Sequence, residues 1–410
     1  MTLTRPNLAQ LLLPLAVFGV LLAVLTFVNR GDADGDAPAA GAQTSRGQAY
    51  LERARLTGDL DALARAGRAF DAALQRDPRD YHAVVGAGTL AGLRHDFRRQ
   101  IRLGHVAHDL APDLVGPLIV TADGQIELGR YAAAARTVQR LLDAKPGVAA
   151  YSRASYLREL SGDPRGAAAA MRLAASAAGG GPADRAYVQS LLGDLELQRG
   201  RTAAAQSAYF GALRSVREAP AALVGLARVD ASRGRFGAAV AKLRRATGEQ
   251  PLTTSLTLLA DVELAAGREA PAQAALAAVG KLRRRDTSAG TLPDAETVLF
   301  QANHGDPGRA VSIGRRVWRA KPSIRSADAL GWALTRSGRP AAGLRWAGEA
   351  LRLGSRDPLF RFHAGIAAMA AGRLEAAGGH LRIAVRGSAM LPPLQAAQTR
   401  RALRRAQPPV

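Results

Sequence analysis

Small and apolar side chains recur at helical spacing through most of the chain. Four sets share one form: Ala66, Phe70, Ala73 and Pro78; Ala134, Val138, Leu141 and Pro146; Ala239, Leu243, Ala246 and Pro251; Ala310, Gly314, Val317 and Pro322. Steps of four and three keep three side chains on one helical face, and the proline bars continuation of the helix. Versions without the final proline stand at Ala205, Tyr209, Ala212 and at Ala377, Leu381, Ala384. Ahead of several sets lies a second helical stretch carrying a small residue next to a glycine or a bulky one, as at Ala87-Gly88, Leu192-Gly193, Leu330-Gly331 and Ala364-Gly365. Glycine turns separate the two stretches: Gly129-Arg130-Tyr131, Gly162-Asp163-Pro164, Gly200-Arg201, Gly234-Arg235-Phe236, Gly305-Asp306-Pro307, Gly338-Arg339 and Gly372-Arg373.

The order within a unit is helix, turn, helix, stop. Pro78, Pro112 and Pro146 stand 34 residues apart, and the unit between the last two has its first helix predicted over Leu118–Leu128. A fixed period of this size means stacked units, each covering an apolar face that its neighbour leaves open. The expected fold is therefore an all-α solenoid over residues 46–390, of about ten helix pairs, followed by a capping helix and tail over 391–410 with a basic outer face at Leu394–Arg405. Two stretches break the period. Gly179-Gly180-Gly181-Pro182 lengthens one unit and Val279–Ala295 interrupts the series, so bends are expected at both.

The N-terminal segment has a different pattern. Leu8–Val28 is an uncharged run of 21 residues, about the length a helix needs to cross a hydrocarbon core. Residues 1–28 are read as a transmembrane anchor, with secretion after signal-peptide cleavage near Ala40-Gly41-Ala42 as the alternative. The flanks, Arg5 on one side and Arg30 on the other, are nearly balanced; the expected arrangement is a single pass with the tail inside and the body outside the cytoplasm. Residues 29–45 read as a flexible spacer. Its Asp32, Asp34 and Asp36 lack the rest of a calcium loop.

Composition narrows the chemistry. With no cysteine, disulfides, thiolate zinc sites and a cysteine nucleophile are excluded. Net charge is +22, yet only 4 of the 56 basic residues are lysine, an arginine excess that with heavy alanine and glycine use fits codon bias. Basic clusters at Arg94/Arg98/Arg99/Arg102, Lys242/Arg244/Arg245, Lys281/Arg283/Arg284/Arg285 and Arg400/Arg401/Arg404/Arg405 leave open a module that binds nucleic acid or an acidic membrane surface. No stacking aromatics or reading motif accompany them, and they read as solvated helix faces.

The helix–turn–helix period, its small residues, glycine turns and closing prolines resemble the tetratricopeptide repeat. The resemblance covers more than four fifths of the chain, although the large aromatics that many members carry early in the first helix are mostly absent. It implies a right-handed superhelix and a non-catalytic scaffold that is not an enzyme, holding protein or peptide segments in a concave groove lined by first helices. With the repeat phase applied, the implied groove positions are His82, Asp123, Glu127, Arg153, Tyr187, Asp194, Arg228, Arg325, Asp328 and Trp332.

No residue set calls for a cofactor or a metal. Gly86, Gly88 and Gly92 fall inside a first helix with no strand before them, so they read as packing glycines rather than a dinucleotide loop. His95, His105, His108 and Asp109 lack a converging second set and read as surface or packing residues. In His304-Gly305-Asp306-Pro307, Asp306 reads as the cap of the next helix, as Asp163 does before Pro164.

Overall fold

The computed structural model describes residues 41–406, apart from residues 58, 180, 250 and 289. Among the described residues there are 21 α-helices, one 3-10 turn at Ser388–Met390 and no strand. The helices form ten hairpins in sequence. The first five pair Ala42–Thr57 with Leu60–Arg76, Tyr81–Leu93 with Phe97–Leu110, Gly116–Glu127 with Tyr131–Ala144, Val148–Leu160 with Pro164–Ala177, and Pro182–Gln198 with Thr202–Ser215. The next five pair Pro220–Ser232 with Phe236–Glu249, Thr253–Ala265 with Glu269–Ser288, Ala295–His304 with Pro307–Ala320, Ile324–Arg336 with Pro340–Ala350, and Pro358–Ala370 with Leu374–Arg386. Pro393–Ala406 closes the stack, and its Arg400, Arg401, Arg404 and Arg405 are exposed.

The stripes foreseen on the second helices are buried throughout. Ala66, Phe70, Ala134, Val138, Leu141, Ala205, Tyr209, Ala239, Leu243, Ala310, Val317, Ala377 and Leu381 are all at 2% exposure or less. The small and large positions work as a set. A Cβ added at Gly193 would lie 2.3 Å from the Tyr209 ring, and one at Gly225 would lie 2.2 Å from it. The tyrosine is thus clamped between two first helices that approach closely only because neither has a side chain there.

Turn chemistry also follows the sequence. Seven of the hairpin turns place glycine at positive φ, from Gly162 at +65° to Gly338 at +79°, where a side chain would be strained. The second hairpin has His95 there instead, at φ +61°. Gly305 departs from the set, at φ −131°. Asp163 and Asp306 cap the helices that follow them, accepting from Gly166 N and Gly308 N.

A buried acid four residues before the turn glycine staples three successive hairpins. Glu196 accepts from Arg199 at 3.0 Å and Arg172 at 2.5 Å. Asp230 accepts from Arg235 at 2.5 Å and Lys242 at 2.7 Å, and Glu263 from Arg268 and, at 3.2 Å, from Arg244. Six basic side chains are thereby held on three buried acids within the stack.

Three expectations are corrected or fall outside this description. The apolar run Leu8–Val28 lies outside the described residues; among those residues no helix is long and apolar enough to cross a membrane. The expected spacer also lies mostly outside, and its end is earlier than expected because Ala42–Thr57 is already helical. Val279 does not start an interruption: the helix Glu269–Ser288 runs through it for 20 residues, and the hairpin series continues beyond.

The segment that follows this long helix reaches back across the molecule. Leu292 N donates to Arg94 O at 3.1 Å, and His95 Nδ1 meets Leu292 O at 3.0 Å. Farther along, Ile324 N donates to the Tyr131 hydroxyl at 3.0 Å, and Arg228 donates to Met390 O at 2.7 Å. These partners are 197, 193 and 162 residues apart in sequence. The stack therefore coils until its later hairpins lie against its earlier ones. Tyr156, Leu160 and Ile126 share one apolar cluster with Ile324, Ala327, Ala350 and Phe360 across that seam.

Candidate functional site

Where the arms meet, charged ends of first helices from the early hairpins face the starts of first helices from the late ones. The ten groove positions divide into two groups there. Asp123, Arg153, Asp328 and Trp332 are buried and engaged with other side chains. Arg153 donates Nε and one terminal nitrogen to the two Asp123 oxygens at 2.8 and 2.6 Å, and its other nitrogen to Ala149 O at 3.0 Å. Asp328 contacts His363 Nδ1 at 2.9 Å, and the Trp332 ring stacks on His363 with centroids 4.3 Å apart while its Nε1 donates to Asn303.

His82, Glu127, Tyr187, Asp194, Arg228 and Arg325 are half-buried. His82 packs edge-on against Tyr81, and Tyr187 lies against the cluster of Ala168, Met171 and Leu191. Asp194 accepts from the Tyr209 hydroxyl at 2.7 Å, and burial pushes its carboxyl up to about 6. Arg325 donates to Glu296 at 3.1 Å.

Around Arg325 the fold adds Tyr131, Tyr156, Glu159, Asp294, Glu296, Lys321 and Asp357, which the sequence reading left out. Burial raises the Glu127, Glu159 and Glu296 carboxyls and takes Asp357 up to about 8. It also lowers the Lys321 ammonium to about 8, with Nζ lying 5.0 Å from the Phe97 ring centroid. One signal for Tyr156 was available: it stands six residues before Gly162, as Asp123 does before Gly129 and Asp194 before Gly200. Nothing local marks Asp357, whose place at the seam depends on the coil.

No group of side chains among the described residues could hold a metal ion. His95 is spent on Leu292 O and lies 4.0 Å from Asp294. His304 pairs with Asp261 at 3.1 Å rather than with Asp306. Gly86, Gly88 and Gly92 sit inside Tyr81–Leu93, where an added Cβ would strike Phe70, Val120 or Gln100. The arrangement offers donors and acceptors of both signs.

Among curated proteins none matches this chain at a significant level. The solved structures it resembles include the APC/C hetero-tetramer Cut9-Hcn1, at 12% identity and TM-score 0.40 over 90% of this chain and 87% of that one. A human IFIT1 dimer with PPP-AAAA matches at 14% and 0.48 over 77% and 73% of the two chains, and yeast Tom70 at 11% and 0.37 over 89% and 95%. At TM-scores below 0.5 none of these carries over a partner or a site. A family model described as the tetratricopeptide repeat matches residues 190–252 and 329–390. The chain is an all-α helical-repeat solenoid whose fifth, sixth, ninth and tenth hairpins carry tetratricopeptide repeats.

Proposed function

We propose that this chain is a membrane-tethered, non-catalytic scaffold that holds protein or peptide segments on the inner face of its repeats. The observation that carries the reading is the composition of that face. Tyr187, Asp194, Arg228, Glu127 and Arg325 are half-buried, both charge signs and an aromatic are present, and an extended peptide can be held there by hydrogen bonds with an aromatic anchor. Repeats of this type commonly bind such partners. The tether of this reading is Leu8–Val28, since the run is uncharged and long enough to span, with the short N-terminal tail inside and the body outside the cytoplasm.

A polyanion surface is less well supported, since two of the four arginine and lysine clusters are partly engaged within the fold. Lys242, Arg244 and Arg245 pair with Asp230, Glu263 and Glu218, and Arg283 donates to Thr297 and to Glu296 O. A pull-down of the full chain from detergent extract tests the reading. Tyr187→Ala and Arg228→Glu should release the captured partner with helicity unchanged, while reversing Arg284 and Arg285 should leave it bound. Loss on reversing the arginines, together with release at moderate salt, would overturn it in favour of a polyanion. A reporter fused after Val410 should be active outside the cytoplasm and stay in the membrane fraction; a soluble shortened product would replace the tether by a cleaved signal.

A further inference from the structure

We infer that the chamber between the two arms, lined by Glu127, Tyr156, Glu159 and Asp357, receives a single cationic side chain, guanidinium or primary ammonium, from the bound segment of a partner protein. This rests on the scaffold reading above and names the chemistry of the partner.

The chamber holds more carboxyl groups than the cations around it satisfy. Glu127 ends the helix Gly116–Glu127, Glu159 lies in the last turn of Val148–Leu160, and Asp357 caps Pro358–Ala370. None of the three has an ion pair among the described residues. Glu159 accepts from the neutral Gln198 amide at 3.1 Å. Asp357 uses Oδ1 to cap its own helix, accepting from Phe360 N at 3.0 Å, while its Oδ2 is buried without a partner. The nearby Arg325 is already committed to Glu296.

A second observation points to a ligand rather than to a tolerated cluster of acids. The Tyr156 side chain is 5% exposed, yet its hydroxyl has no hydrogen-bond partner. It lies within electrostatic range of Glu127, Glu159 and Arg325. Buried polar atoms are almost always satisfied, so the orphaned Tyr156 hydroxyl and the orphaned Asp357 Oδ2 each call for a partner. A guanidinium or ammonium supplies N–H donors to Glu127, Glu159 and Asp357 Oδ2, and to the lone pairs of Tyr156. Glu127 and Glu159 are half-buried, which leaves the chamber open to solvent on their side.

The surrounding charges set the pH behaviour. From Pro182–Gln198 come Asp194 and Gln198; from Tyr131–Ala144, Tyr131; from the seam, Asp294, Glu296, Lys321 and Arg325. Asp123 and Asp328 face the chamber already paired, with Arg153 and His363. Burial raises the Glu159 carboxyl and takes that of Asp357 up to about 8. An entering cation favours the ionised form, so binding releases a proton to solvent and affinity rises with pH.

Calorimetry on the full chain in detergent tests this with three probes. These are a Gly/Ser decapeptide with one central arginine, its citrulline twin, and spermidine. The arginine peptide should bind, with proton release seen as a dependence of the heat on buffer ionisation, and with affinity rising about tenfold per pH unit for each proton released. Glu127→Gln with Glu159→Gln, and separately Tyr156→Phe, should weaken it at least tenfold with the helical spectrum unchanged. Equal binding of the citrulline twin, absence of proton release, or unaltered binding by the variants overturns the inference. Tighter binding of spermidine than of the peptide overturns the assignment to a protein side chain. Should the Glu127→Gln, Glu159→Gln variant still capture the pull-down partner while Arg228→Glu does not, the scaffold reading stands and the cation chamber falls.

Discussion

Replacing Arg153 by methionine separates a structural ion pair from a ligand contact. Arg153 is 0% and Asp123 3% exposed, and two short hydrogen bonds join them. Methionine keeps most of the stem's packing and deletes the charge, leaving a carboxylate with no counter-ion in the interior, a change that typically costs about 3–5 kcal/mol. Asp123 has one escape, which is to take up a proton, and burial already pushes its carboxyl upward. From an ordinary value near 3.9, protonation costs about 4 kcal/mol at pH 7 and about 1.5 kcal/mol at pH 5, at about 1.4 kcal/mol per unit. The loss should therefore be close to 4 kcal/mol at pH 7 and less than half of that at pH 5. In a repeat stack the damage is local, so hydrogen exchange in Gly116–Glu127 and Val148–Leu160 should quicken before distant hairpins respond. Adding Asp123→Leu should restore most of the stability. A single variant within about 0.5 kcal/mol of the parent at pH 7, or a double variant no better than the single, would refute the buried-pair account.

Other outcomes follow from the packing. Ala134→Leu and Ala239→Leu, both at fully buried positions, should each cost about 1–3 kcal/mol by overpacking, read as a fall in melting temperature; no change in either would displace the repeat phase. Gly129 is at φ +69°, and a Cβ there would lie 2.3 Å from Pro322 O, so Gly129→Ala should cost more than about 1–2 kcal/mol and speed exchange at Ile324 across the seam. Asp357 has a folded value near 8 against an ordinary 3.8. The unfolded chain thus loses that proton first, and stability contributed by the protonated carboxyl is complete below about pH 4 and fades as pH rises towards 8. Asp357→Asn should flatten the urea midpoint over that window, and an unchanged slope would mean that the carboxyl ionises freely in the fold.

Much of this protein was legible because its repeat is a local device. The prolines, the turn glycines and the steps of four and three act within about 34 residues, where helix geometry and φ preferences are decided by near neighbours. That is why the buried second-helix stripes, the caps at Asp163 and Asp306 and the closing helix stand where the sequence places them. The continuation of the helix through Val279 had a local signal in the good helix formers Lys281, Arg283, Arg284 and Arg285, but the break in the repeat period at this stretch hid it.

The inner face is a different matter. Sequence phase offers first-helix positions as candidates for the inner face, but whether they meet solvent or another hairpin depends on a small rotation per unit summed over several units. Only the folded coil brings Leu292 to Arg94, Ile324 to Tyr131 and Met390 to Arg228, across 162 to 197 residues or more. It is the same closure that pairs Arg325 with Glu296 beside Glu127, and leaves Tyr156 and Asp357 with unpartnered oxygens at the seam. The sequence by itself determined the hairpin, its period and its packing stripe, because each is set by contacts a few turns apart. The tertiary structure decided the chamber, because its walls come from arms whose meeting no local pattern encodes.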